Sequence, residues 1–536
     1  MPGRRAGGAA ASGWVNSTVV TTTASIADLA AVTIRLRPDD NVVLTTSDLE
    51  PGTYRFNGGT LELTTAVPRG HKIATRAIAT NEPVLKYGQV IGFAHVPIAP
   101  GAHVHTHNCD YRTFERTAQA GVDSRPTIYV PEAQRATFQG IKRPDGKVAT
   151  RNWIGILTTV NCSATAAKLI AASLRPYIAE NFPTVDGIVA LTHGTGCGMA
   201  GPGSEGFEIL RRTMTGYAAH PNFAGFLVLG LGCEVNEVSS LVSNWAIPSH
   251  KLVQAMTIQE AGGTRKAVEL GSGALREMLP TVADIKRETV PASELVLGME
   301  CGGSDGYSGI TANPALGVAA DILIANGGTA AFGETPEIYG AEHLLIRRAV
   351  SQEVGDKLAA RITWWEDYTT KNNGSMDNNP SPGNKAGGLT TILEKSLGAA
   401  AKGGSTNLVD VVEYAEALAA KGLIFMDTPG YDPVNATGLV AGGSTVLCFT
   451  TGRGSAFGCS PTPSIKLATN TEIFRRMSDD MDVNCGTIVD GTKSVDEVGA
   501  EVFAKILSVA SGEKPFSEEL GYGQEEFVPW QLGAVM

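Results

Sequence analysis

Glu300-Cys-Gly-Gly-Ser-Asp-Gly-Tyr-Ser-Gly-Ile-Thr-Ala-Asn-Pro314 follows a short apolar run, Leu295-Val-Leu-Gly-Met299. The run predicts a buried strand. The segment beyond it packs poorly as core, because a thiol, a carboxylate, hydroxyls and four glycines crowd residues 301–310. Glycines there permit tight turns and close backbone approach to a ligand. Cys301, Ser304 and Asp305 therefore project from the end of a strand, where open α/β sheets bind their ligands.

Upstream, residues 141–288 alternate strand and helix. Strands are expected at Trp153–Val160, Gly187–Thr192, Gly225–Gly230 and Lys251–Thr257, with helices including Ala164–Glu180, Glu205–Ala219 and Arg265–Met278. That alternation predicts a parallel sheet with crossover helices. Cys162 follows the first strand, His193 and Cys197 the second, and Cys233 with Glu234 the third. Parallel strands end on one edge, so these thiols are expected to converge with Cys301 in one site. Gly196-Cys-Gly-Met-Ala-Gly201 fits the dinucleotide pattern G-x-G-x-x-G, but the acidic residue expected about 20 positions later is missing. Nicotinamide binding is not expected.

Downstream, residues 289–536 continue the α/β pattern, with a helix over Ala315–Ala325 and a longer one from Ala341 to about Lys371. Gly328-Thr-Ala-Ala-Phe-Gly333 is a strand candidate running into Glu334-Thr-Pro-Glu337. Two carboxylates just beyond a strand suit acid–base work or metal ligation. Asn379-Pro-Ser-Pro-Gly-Asn-Lys-Ala-Gly-Gly388 is too rich in turn formers to predict a regular element. Lys385 there, and Arg453 after the strand Val446–Thr450, suit recognition of a substrate carboxylate. The last 25 residues read as a surface tail with aromatic anchors.

Residues 31–110 predict a small β domain of short strands divided by Pro-Gly and Gly-Gly turns. In Gly101-Ala-His-Val-His-Thr-His-Asn108 three histidines alternate, so as a strand His103, His105 and His107 share a face. Paired imidazoles of this kind ligate first-row metals. Residues 111–140 read as a linker. Residues 1–30, with Arg4 and Arg5 and no acid before Asp28, read as a disordered tail, with a targeting segment as the alternative.

The 536 residues are too many for one core. A net charge of −11, from 43 basic and 54 acidic residues, argues against nucleic acid or an anionic membrane as partner. No apolar run approaches the roughly 20 residues of a membrane span. Eight cysteines in such a chain do not make a disulfide scaffold and fit a reducing compartment.

Several separated motifs resemble the altronate and galactarate dehydratase family of sugar-acid hydro-lyases. They are Arg69-Gly-His-Lys72, His103–Asn108, His193–Gly198, Gly230-Leu-Gly-Cys-Glu234, Glu300–Asp305, Thr311-Ala-Asn-Pro314, Asn379–Gly388 and Thr450-Thr-Gly-Arg-Gly454. The triple-histidine run and Glu337-Ile-Tyr-Gly-Ala-Glu342 resemble the altronate branch more than the galactarate branch. The resemblance implies an N-terminal β-clip domain of the SAF type, then parallel-sheet α/β domains. It also implies an Fe2+- or Mn2+-dependent reaction and a cytoplasmic catabolic role; the four strand-end thiols are then expected around one iron or as ligands of an iron–sulfur cluster. A sugar-acid substrate and a second copy in a homodimer are the expected partners. Related sulfolactate sulfo-lyases divide these domains between two chains, and the fused chain speaks against that activity. A sugar-acid-binding sensor is the non-enzymatic alternative. The expected catalytic residues are His71, Lys72, His193, Asp305 and Glu334. Those expected to bind substrate are Ser304, Asn384, Lys385 and Arg453. The expected metal ligands are His103, His105, Cys162, Cys197, Cys233, Cys301 and Glu337.

Overall fold

The computed structural model describes residues 27–533, except 115, 117, 244 and 246. Most of the expected N-terminal tail thus lies outside the described residues. The strand that decides the fold is Val296–Cys301, buried at all but its first position. It is the middle of a seven-stranded parallel sheet. Thr329–Phe332, Gly422–Met426 and Leu408–Val412 lie in that order on one side. Val446–Thr451, Ser464–Ala468 and Val483–Asn484 lie on the other. The chain winds outward from Val296–Cys301 in one direction, then returns and continues in the other. Cys301 therefore ends its strand at the point where the winding reverses, and such points open a crevice at the carboxyl edge of a sheet.

The middle domain is a four-stranded parallel sheet, in the order Gly187–Leu191, Trp153–Thr158, Phe223–Gly230, Leu252–Thr257. Alternation along the strands decides the layers. Ile154 and Ile156 face the core under helices Ala164–Asn181 and Thr264–Ala283. Leu157 faces the opposite core, shared with helix Glu205–Ala219 and with Val434, Val440 and Phe449 of the C-terminal domain. That shared core makes the two α/β domains one packed body. Thr137–Lys142 pairs antiparallel with Glu288–Pro291, so the end of the expected linker already belongs to a sheet.

Residues 33–110 form the expected β domain, built of antiparallel strands. Its first hairpin, Gly52–Phe56 with Gly59–Leu63, turns through Asn57 and Gly58, both at positive φ (50° and 78°). A tight hairpin turn demands that conformation of both residues.

Three local expectations need correction. The histidine run is a strand only over His103–Val104. The Asn108 side chain accepts from the His105 N–H and donates to the His103 carbonyl, both at 2.9 Å, and so turns the chain. The long helix after Ala341 is two helices, Glu342–Ile346 and Gln352–Lys371, the second capped by Ser351. Asn379–Gly388 contains a short helix, Pro382–Ala386, with a Ser381–Asn384 capping box. The C-terminal tail is anchored as expected: Trp530 stacks on Trp365 and Phe527 packs edge-on against Tyr217.

The β domain docks on helix Ile392–Ala401. Glu394 on that helix takes Lys72 at 2.8 Å and Lys86 at 2.9 Å, all three side chains being buried. Next to this lock, the Gly70 carbonyl lies so close to Gly306 that an added Cβ there would meet it at 2.1 Å. Only glycine allows that approach.

Candidate active site

The carboxyl edge of the seven-stranded sheet carries a nest of charged side chains. Cys301 Sγ receives the Lys402 ammonium at 2.9 Å, and the same ammonium lies 3.3 Å from Glu334 Oε2. Glu337 holds Lys395 at 2.5 Å and accepts from Asn379 Nδ2 at 2.7 Å. Cys301, Glu334 and Glu337 offer ligand atoms within 4.8 Å of one another, as do Glu300, Glu334 and Asp432. Glu334 is buried and left-handed, with φ of 69°. Its amide donates to Thr428 Oγ1 at 2.7 Å, which pins the strained turn. Burial, then the charge of Glu337, raises the Glu334 carboxyl to about 8 against the opposing pull of Lys402. Burial and Glu337 likewise raise Asp432 to about 6. Burial pushes the Cys301 thiol up to about 12. Beside the nest lies a cavity of about 290 Å³ lined by Cys301, Glu337, Asn379, Lys395, Tyr431 and Asp432 among others. Cys301, Glu337, Lys395 and Asp432 thus face the cavity, and the buried Glu334 and Lys402 adjoin it through Cys301.

Across the Asn379–Gly388 stretch lies a cluster of histidines from the β domain. His71 Nδ1 and His103 Nε2 are 2.9 Å apart. His105 Nε2 donates to the Lys385 carbonyl at 2.9 Å, and His71 Nε2 faces the Ala386 carbonyl at 3.4 Å. The rings of His71, His103 and His105 lie 5.0–5.5 Å apart, and His107 adds a fourth 5.4 Å from His103. Burial, then nearby positive charge, lowers His71 to about 4 and His103 to about 3. These imidazoles are neutral at neutral pH, which is the form that ligates metals.

The middle-domain residues form a third group. Cys162, Cys197 and Cys233 all lie at the carboxyl edge of their sheet and are exposed. His193 braces the loops: Nε2 donates to the Thr158 carbonyl at 2.9 Å, and Nδ1 bonds the Thr195 hydroxyl at 3.0 Å. Both ring nitrogens are thus used in holding the chain. Cys301 differs in setting: it ends a strand of the other sheet and is buried under Lys402, whereas these three thiols are exposed.

The remaining expected residues cluster around residues 301–305. Asp305 is buried and fully engaged. Its carboxylate accepts from the amides of Tyr307 and Ser308, the hydroxyls of Ser308 and Thr469, and Asn470 Nδ2. It holds the turn instead of facing a cavity. Lys72 is likewise committed, to Glu394 and the Gly388 carbonyl. Asn384 donates to the Ser304 carbonyl at 2.9 Å, so it supports the strand-end loop. The amide of Arg453 donates to the Gly303 carbonyl at 2.8 Å, while its side chain is exposed. Lys395, Lys402, Asp432, Glu300 and Asn379 were not singled out from the sequence. The two lysines are spaced by seven, one face of a helix, which is the signal they carried.

Family models bear on this arrangement. The model described as altronate/galactarate dehydratase SAF domain matches residues 31–112. The second domain of D-galactarate dehydratase/altronate hydrolase matches 140–283, and the C-terminal domain of D-galactarate/altronate dehydratase matches 292–535. The chain is 36% identical over 487 residues to altronate dehydratase of Bacillus subtilis, covering 90% of this chain and 95% of that one. The chain belongs to the galactarate/altronate dehydratase family. Galactarate dehydratase (L-threo-forming) of Escherichia coli is 38% identical over 497 residues, 91% of this chain and 94% of its own. Altronate dehydratase of Escherichia coli is 36% identical over 493 residues, covering 90% and 96%. Each of the three family domains carries one of these groups: the histidines, the exposed thiols, and the carboxylate–lysine nest.

Proposed function

We propose that this chain dehydrates a six-carbon aldonate, D-altronate, to 2-keto-3-deoxy-D-gluconate and water. The observation that carries the reading is the meeting of Glu300, Glu334 and Asp432 within 4.8 Å of one another at the strand end, with Asp432 raised to about 6 and Glu334 to about 8. Between those values one is ionised and the other protonated, the condition for base and acid in one site. Asp432 takes the C2 proton. Glu334 gives its proton to the C3 hydroxyl as the C3–O bond breaks, so the products are water and an enol. The enol then ketonises. Lys395 and Lys402 offset the negative charge that develops beside the substrate carboxylate. Arg453 and Lys385 hold that carboxylate.

His71 and His103, whose Nδ1 and Nε2 stand 2.9 Å apart, offer two neutral imidazoles to iron(II) or manganese(II). His71 and His103 would hold the ion, which when bound supplies Lewis-acid stabilisation of substrate oxygen. The nest itself already carries two ammonium groups on Cys301, Glu334 and Glu337. The identities to the altronate and galactarate enzymes are alike, so the substrate rests on the histidine cluster and on the two altronate dehydratases among the relatives. Among the described residues no helix is long and apolar enough to cross a membrane. We read the protein as a cytoplasmic homodimer, which light scattering of the purified chain checks.

The test is assay of anaerobic, iron-loaded protein with D-altronate and with galactarate, following 2-keto acid. Faster turnover of altronate supports the reading. Faster turnover of galactarate moves the substrate and leaves the chemistry. Binding of sugar acids with no keto acid formed identifies a sensor and ends the hydro-lyase reading.

A further inference from the structure

Free cysteine is among the most buried residue types. Five of the eight here obey that rule, and the three that are exposed are Cys162, Cys197 and Cys233. They follow the three adjacent strands Trp153–Thr158, Gly187–Leu191 and Phe223–Gly230, at one edge of one sheet.

Their loops are tied to one another. The Asn161 amide donates to the Thr195 carbonyl at 3.0 Å, joining the first loop to the second. The Asn236 amide donates to the Gly196 carbonyl at 3.1 Å, joining the third to the second. Asn236 Nδ2 reaches the Thr159 carbonyl at 3.0 Å and closes the ring. Glu234 adds a further brace, accepting from the amides of Gly232 and Cys233 at 2.6 and 2.9 Å and from the Thr159 hydroxyl at 2.5 Å. Gly196, Gly198 and Gly232 all have positive φ (100°, 66° and 122°). The loops are therefore braced turns that leave the thiols outside.

We infer that Cys162, Cys197 and Cys233 are the three protein ligands of an iron–sulfur cluster, with Cys301 excluded from the set. Thiolates are the ligands such clusters take. Spacing decides between a cluster and a single metal ion. Thiolates on one tetrahedral ion sit about 3.8 Å apart, given bonds near 2.3 Å. Among the described residues, no group of three ligand atoms within 4.8 Å includes these cysteines. Neighbouring strands are about 4.8 Å apart, so loops from three of them span about 10 Å. A cuboidal cluster suits that spread, because each thiolate binds a different iron. Three thiolates leave the fourth iron open to a small oxygen ligand. The inference does not depend on the proposed dehydration.

The experiment is iron and acid-labile sulfide analysis of full-length protein purified without air, with visible absorption and electron paramagnetic resonance after reduction. Acid-labile sulfide with at least as much iron, and broad visible absorption, are expected. Single changes Cys162→Ser, Cys197→Ser and Cys233→Ser should each lose sulfide and colour with unchanged circular dichroism, since these side chains are exposed. Cys301→Ser should keep both. Iron without sulfide, zinc in these positions, a disulfide between two of them in the anaerobic protein, or full sulfide in the triple variant would each overturn the inference. All of these readouts are independent of turnover, so failure here is distinct from failure of the altronate assay.

Discussion

Glu334 concentrates the chemistry at the scale of the residue. It is a non-glycine residue at positive φ, wholly buried, between an ammonium and a second carboxylate. Such strain, of order 1–3 kcal/mol, persists where surrounding structure over-determines the conformation. Its carboxyl is raised to about 8 and acts as acid, so activity should fall as pH rises through that value. Asp432, raised to about 6, acts as base, so activity should fall as pH drops below that value. Glu334→Gln should lower kcat by roughly 10²–10⁴-fold, the usual worth of a positioned acid or base, and remove the alkaline limb of the kcat–pH profile. Asp432→Asn should remove the acidic limb. Lys402→Met should shift the alkaline limb upward, because the ammonium is what pulls the Glu334 carboxyl down. An unmoved limb in Lys402→Met would separate that lysine from the acid. The pair Glu334 and Glu337 was visible in sequence as two acids past a strand. Asp432 was not, because nothing local distinguishes it from an ordinary acid in the first turn of a helix.

At the scale of the element, helix Ile392–Ala401 organises the molecule. Residues Ile392–Ala400 are all buried, including Glu394 and Lys395. Those two neighbours serve opposite tasks: Glu394 locks the β domain, and Lys395 reaches Glu337 in the nest. Removing one member of a buried ion group leaves the others unpaired, at a cost of about 3–5 kcal/mol. Glu394→Gln should therefore lower the thermal midpoint of the purified protein markedly, with Lys72 and Lys86 both left without their carboxylate. Lys72 and Lys86 hold the Glu394 carboxyl far below its usual value of 4.5, against the opposing effect of burial. That contribution is present above about pH 4.5 and is lost as pH falls through the lower folded value. Wild-type and Glu394→Gln midpoints should converge on acidification. A constant difference across the acid range would place the stabilisation elsewhere.

At the scale of the whole molecule, the β domain is a docked wall of the site. Its core is completed by Ala341, Leu397 and Ala400 of the C-terminal domain. A chain lacking residues 1–110 should therefore lose turnover and also show a lower thermal midpoint, because it exposes that face and unpairs Glu394. The point variant His71→Ala separates the two effects. It leaves the dock intact and should weaken manganese binding in calorimetric titration while the thermal midpoint stays close to wild type. Unchanged manganese binding would remove the histidine cluster from metal ligation.

The sequence by itself determined the order of the domains, the parallel sheets and the edge on which the reactive groups stand. Those come from local signals: apolar runs of strand length, helical periodicity between them, and glycines with reactive side chains at strand ends. The histidines were legible as a group because three of them crowd one short run. Only the tertiary structure decided which groups meet. It parted Cys301 from the three exposed thiols by placing it in a different sheet, and it gave Lys72 and Asp305 to structural partners. It also brought Lys395, Lys402 and Asp432 to Cys301 from helices or helix ends far along the chain. The physical reason is that a charge's role depends on its partner and its burial. Both are set by the packing of distant segments, which local propensity does not encode.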